Sequence, residues 1–171
     1  MRTIESKRLI LRPFTLADAP FLLELLNSPP WLKYIGDRGV RTVADAEEYL
    51  RSRIIKSYGE HGFGMFVVIL KSMDKPIGSC GLVKRETLPD ADLGFAFLPG
   101  FEGRGYGFEA ATSVLDFTKK TLRKERLLAI TLPSNTASVG LLKKLGFIFE
   151  KTMLLKGDEE ELQLFSIALK D

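Results

Sequence analysis

With 171 residues, 45% of them hydrophobic, the chain has the size and apolar content of one domain, 1–171, with a substantial core. No apolar run nears the roughly 20 residues that cross a bilayer, and the opening MRTIESKRLILRPF lacks the apolar core of a secretory signal, so a cytoplasmic protein with no membrane partner is expected. One cysteine and one histidine exclude an internal disulfide and argue against a transition metal, while a mild net charge of +3 demands no nucleic-acid surface and fits a small anionic ligand equally well.

Arg8-Leu-Ile-Leu-Arg12 reads as a short strand stopped by Pro13. Thr15 is placed as an N-cap with Asp18 supplying negative charge to the first turn, and the helix LADAPFLLELL ends before Pro29 and Pro30. A second helix starts near Thr42 and runs to Gly59. His61 is expected in a loop. Gly62–Leu70 and Pro76–Val83 form an antiparallel hairpin around SMDK, with Cys80 an inert core thiol.

Asp92–Leu98 is the next strand, ended by Pro99 and Gly100. A helical pattern runs from Tyr106 to about Lys120, and Arg126–Leu132 is a strand. Asn135–Leu145 is a helix closed by Gly146. Phe147–Leu155 and Glu161–Leu169 make a closing hairpin around KGDEE, whose acids read as a solvated turn. The order gives one mixed α/β domain without repeats or linkers.

Between strand and helix lies FEGRGYGFEA, with glycines at 103, 105 and 107. Strand, glycine loop and helix suit an anion site, since the N–H groups of the first turn point outward and the helix dipole favours negative charge. The other reading is a tight turn with close helix packing, for which one glycine would suffice. Two familiar phosphate motifs fail. The third glycine of the dinucleotide fingerprint would fall at Phe108, and no Lys-Ser or Lys-Thr follows the last glycine as a P-loop requires.

Glu102-Gly103-Arg104-Gly105-Tyr106-Gly107 resembles the pyrophosphate loop of the GNAT acetyltransferases, Gln/Arg-x-x-Gly-x-Gly/Ala. SKRLILRPFTLADA, PIGSCGL, DLGFAFLPGFEGRGYGFEA and NTASVGLLKKLGF resemble, in order, segments of the RimJ/RimL-like branch. The resemblance implies the GNAT fold: a mixed, mostly antiparallel sheet with helices on both faces and a V-shaped splay between Asp92–Leu98 and Arg126–Leu132. It implies acetyl-CoA as co-substrate, its pantetheine arm paired with the backbone near Phe97 and Leu98. The diphosphate then lies on the amides of Gly103, Arg104, Gly105, Tyr106 and Gly107, with Arg104 available to phosphate. Glu102 departs from the family's Gln/Arg.

By the same resemblance, Asp92 stands where related histone acetyltransferases carry a general-base glutamate, although it can equally end the turn LPDAD. A backbone N–H near Leu98 would polarise the thioester carbonyl. The tyrosine acid of many relatives is replaced by Leu142. The branch's Asn-x-x-Ser falls on Asn135 and Ser138: Asn135 as helix cap, pantetheine partner or both, and Ser138 as a group solvating the thiolate. Trp31 and Tyr34, in the proline-rich connection NSPPWLKYIGD, either wall an amine pocket or pack that connection to the domain.

The expected activity is therefore acetyl transfer from acetyl-CoA to a primary amine, a protein N-terminus or a small amine, by direct attack in a ternary complex. The rival is a non-catalytic acetyl-CoA sensor of the same fold. Either a monomer or a homodimer is compatible with the sequence.

Overall fold

Strand β3 (Met65–Leu70) carries apolar side chains at every position, which requires that both its faces be covered. Phe66, Val68 and Leu70 enter one buried cluster and Val67 another, so the alternation of the strand divides the interior into two layers. The computed structural model describes residues 1–155 and 160–169.

Eight strands form one sheet in the order β1 (Ile4–Glu5), β2 (Leu9–Pro13), β3, β4 (Lys75–Val83), β5 (Asp92–Phe97), β6 (Arg126–Thr131), β8 (Leu162–Ala168), β7 (Ile148–Met153). Every neighbouring pair is antiparallel except β5 and β6. Ile77 is bulged where β4 leaves β3, because Val68 faces Gly78 while Ile69 faces Pro76. On one face lie α5 (Tyr106–Lys120) and α6 (Thr136–Leu145), with Ala110, Ala111, Val114 and Leu142 packed on Phe66, Leu127 and Ala129.

The other face is covered by α1 (Ala19–Leu26), α2 (Pro29–Tyr34), α3 (Val43–Tyr49) and α4 (Lys56–His61). Phe21, Leu22, Leu25, Leu26, Ala46 and Leu50 share that layer's cluster with Val67 and Leu98. The mixed α/β architecture expected from the sequence, a mostly antiparallel sheet with helices on both faces, is the one observed.

Several boundaries differ for physical reasons. Thr15 is the N-cap expected, with Asp18 at N3 receiving the Thr15 N–H at 2.8 Å, but the first turn, Leu16–Asp18, is 3-10 and α1 begins only at Ala19. Arg12 then clasps the same carboxylate through two nitrogens, at 2.7 and 2.8 Å. Pro29 and Pro30 start α2, since a proline's missing N–H costs nothing in a first helical turn. The second long helix continues through a π-helical stretch, Leu50–Ile55, past Gly59, and His61 ends it, stacked on Phe63. Residues 156–159 of the closing turn lie outside the described residues.

Candidate active site

The sheet opens between β5 and β6. Asp92 faces Leu128 as the only register pair, tied by the Leu128 N–H to the Ala91 carbonyl at 3.0 Å. Beyond it both strands continue without pairing each other, β5 to Phe97 and β6 to Thr131. The result is a V, closed at Asp92 and open where α5 and α6 begin.

Backbone parity decides which groups face this gap. Leu98 donates its N–H to the Ile77 carbonyl at 2.8 Å, and its own carbonyl accepts from Phe101 at 3.3 Å. Residues in an antiparallel strand alternate the side to which their N–H and C=O point. With Leu98 turned to β4, the polar groups of Phe95 and Phe97 turn to the gap. The expectation for Leu98 is corrected accordingly: its backbone is spent, its side chain is buried in the core, and the strand-like pairing edge belongs to Phe95 and Phe97. The same bond removes the Leu98 N–H as a donor to a thioester oxygen.

At the mouth of the V, Gly103 has φ +71° and Gly105 +81°, conformations in which a Cβ is strained. Gly105 is the N-cap of α5, and the first helical bond runs from the Glu109 N–H to its carbonyl at 3.0 Å. The amides of Gly103, Gly105, Tyr106, Gly107 and Phe108 have no acceptor among the described residues. Such an array binds an anion. Gly107 serves differently. It lies inside α5, where a Cβ would stand 3.2 Å from Leu141 and 3.6 Å from the Phe97 ring, so its small size lets α5 seat against α6 and β5. Both Glu102 and Arg104 are exposed.

Across the mouth, Asn135 caps α6, its side-chain oxygen accepting from the Ser138 N–H at 3.2 Å. The Asn135 amide nitrogen and the Ser138 hydroxyl have no partner among the described residues, and both residues are half-buried. Leu142 is buried in the core, so the usual tyrosine position holds only packing.

Asp92 sits at the closed end, 1% exposed, with Arg85 Nε 3.0 Å from its Oδ2. Burial pushes its carboxyl upward, and Arg85 and Lys84 oppose this without cancelling it. By strand alternation its side chain shares a face with Gly94 and Ala96, the face covered by α1–α4. Ser138 belongs to the opposite layer. Asp90 lies apart from this pair, 3.7 Å from Arg126.

Trp31 packs against the α1–α4 cluster from α2, and its indole N–H is the one buried side-chain polar atom without a partner among the described residues. Tyr34 is half-buried with the Lys33 ammonium 5.0 Å from its ring centre. Packing against the domain is thus observed for Trp31. Cys80 is fully buried, which raises its thiol and leaves it inert.

One cation at the mouth escaped the sequence reading. Arg8 donates through Nε to Glu109 at 2.7 Å and through Nη1 to the Arg104 carbonyl at 3.0 Å, with its guanidinium carbon 4.5 Å from the Tyr106 ring centre. No local motif could have signalled this, because the partners are about a hundred positions apart.

Residues 8–148 match the acetyltransferase (GNAT) domain. The chain is 31% identical over 159 residues to an uncharacterized N-acetyltransferase, YnaD, of Bacillus subtilis strain 168, covering 91% of this chain and 90% of the relative. Among solved structures it is similar to an acetyltransferase from Agrobacterium tumefaciens C58, with TM-score 0.81, 24% identity, and coverage of 98% and 94%. It is also similar to RimL, a ribosomal L7/L12 α-N-protein acetyltransferase in complex with coenzyme A, with TM-score 0.84, 18% identity, and 98% coverage of both chains.

Proposed function

The chain belongs to the GNAT acetyltransferases, and from that premise we propose that it moves the acetyl group of acetyl-CoA to a primary amine by direct attack in a ternary complex. The observation that carries this is the unpaired edge of β5 ending at a loop of unpaired amides: an extended arm and an anion find partners at the two ends of one groove. Gly103, Arg104, Gly105, Tyr106 and Gly107 hold the diphosphate, and Phe95 and Phe97 hold the arm. A protein N-terminus is the acceptor class to test first, on the RimJ/RimL-like segments of the sequence.

Acetyl-CoA supplies the activated acetyl group; the residues around it manage protons. An alkyl ammonium must lose a proton before it can attack, and Asp92 is the base we assign, directly or through water. Its buried, raised carboxyl suits that task better than an exposed one. Ser138, on the opposite layer, offers a hydroxyl hydrogen to the departing thiolate, and Asn135 offers its free amide to the arm. That Asp92 is already paired with Arg85 and Leu142 replaces the tyrosine favours a second reading, an acetyl-CoA sensor without turnover.

An acceptor screen that follows free thiol release, across peptides of differing first residue, polyamines and aminoglycosides, tests the enzyme reading. Thermal stabilisation by acetyl-CoA tests the binding step alone, because a ligand that binds only the folded form raises its stability. Stabilisation without turnover on any amine is the sensor's signature.

A further inference from the structure

Within the loop Glu102 is an acid and exposed, and the exposed Arg104 offers its carbonyl inward. A guanidinium nevertheless reaches the loop from the start of β2. Arg8 is held by three hydrogen bonds to two partners: its own N–H and Nε donate to the two oxygens of Glu109 at 2.8 and 2.7 Å, and Nη1 to the Arg104 carbonyl at 3.0 Å. Ser6 also donates to Glu109, and these bonds outweigh burial and hold that carboxyl ionised below its ordinary range. The ring of Tyr106 supports the guanidinium from one side.

One nitrogen of the fork is left over. Nη2 lies 3.2 Å from the point that a Cβ on Gly105 would occupy and has no partner among the described residues. Gly105 is the N-cap whose neighbouring amides are also unpaired. We propose that Arg8 is the side-chain cation of the diphosphate site, its Nη2 donating to a phosphate oxygen while Glu109 and Arg104 keep the fork aimed. This rests on the loop being the coenzyme's diphosphate site. A planar fork fixed on two sides loses little freedom when its last donor is engaged, and its bond to phosphate is charge-assisted.

The test compares coenzyme A, acetyl-CoA and acetyl-pantetheine, which lacks the diphosphate, on wild type, Arg8→Gln and Arg8→Lys, by calorimetry and by KM and kcat. Loss of one charge-assisted bond weakens coenzyme A binding by about tenfold or more in Arg8→Gln. The KM for acetyl-CoA rises in step, kcat changes far less, and the salt dependence of binding flattens. The loss with acetyl-pantetheine is at least several-fold smaller, and Arg8→Lys, which keeps charge and stem, falls between. Equal losses on acetyl-CoA and acetyl-pantetheine, or coenzyme A binding by Arg8→Gln within about twofold of wild type, overturn the assignment while leaving the loop's role intact. Failure of the wild type itself to bind coenzyme A overturns both.

Discussion

Arg85 and Asp92 form an ion pair at the closed end of the V, Nε to Oδ2 at 3.0 Å, with the carboxylate almost wholly shielded from water and the guanidinium partly open to it. Burial raises the carboxyl and Arg85 pulls it back. A base works only when deprotonated, so kcat/KM falls as pH drops through this group's value. Arg85→Gln removes the opposing cation, raises the carboxyl further and moves the acid limb of the profile to higher pH. Asp92→Asn abolishes most turnover, by about a hundredfold, with acetyl-CoA affinity retained. An unmoved acid limb in Arg85→Gln, measured with the same amine acceptor, counts against Asp92 as base.

Gly105→Ala places a Cβ at φ +81° and within 3.2 Å of Arg8 Nη2. Left-handed backbone costs alanine about 1–2 kcal/mol, and relief comes by turning the loop amides away. We expect the KM for acetyl-CoA to rise about tenfold with kcat little changed. Gly107→Ala is the contrast: helical backbone favours alanine, the cost is a nudge of Leu141, and loop geometry is untouched.

Asn135 and Ser138 share one cap bond but carry different chemistry. Asn135→Ala lowers stability by about 1 kcal/mol through the lost cap. Asn135→Asp keeps the cap and removes the free amide, so the melting temperature holds while acetyl-CoA binding weakens. Ser138→Ala leaves the cap N–H in place, and its effect is confined to kcat. If Asn135→Asp binds acetyl-CoA as wild type does, Asn135 is a cap and no more.

Asp18 is half of a buried, two-point ion pair with Arg12 and also receives the Thr15 N–H. Burial alone would raise its carboxyl, but Arg12 and Thr15 prevail and hold it below the ordinary value. A carboxyl lowered by folding stabilises fully above its unfolded value, near 4, and that contribution disappears as pH falls through the folded value. Asp18→Asn therefore lowers the melting temperature at neutral pH and flattens its decline in acid, as thermal scans at stepped pH would register.

What the sequence disclosed and what it hid follow a physical line. Asp92–Phe97, Tyr106–Lys120 and Gly146 as terminator were legible because period, proline and glycine act over a few residues. The left-handed glycines at 103 and 105 were legible as a tight loop for the same reason, while the contact of Gly107 with Leu141 and Phe97 is tertiary and left no local signal. Leu98 was misread because backbone direction along a strand depends on the parity of its partner, here set by Ile77. The Arg8–Glu109 and Arg85–Asp92 pairs are tertiary, and helix α2 was hidden because Pro-Pro reads as a break until a first turn is recognised.

A sheet stitched at one rung between Asp92 and Leu128 is in effect two half-sheets sharing a seam. A guest lying along Phe95 and Phe97 becomes a temporary ninth strand, and the interior it completes is partly its own. Amide protons at those two residues should accordingly trade with solvent deuterium freely in the empty protein and slowly in the filled one, with the seam itself serving as gauge of occupancy.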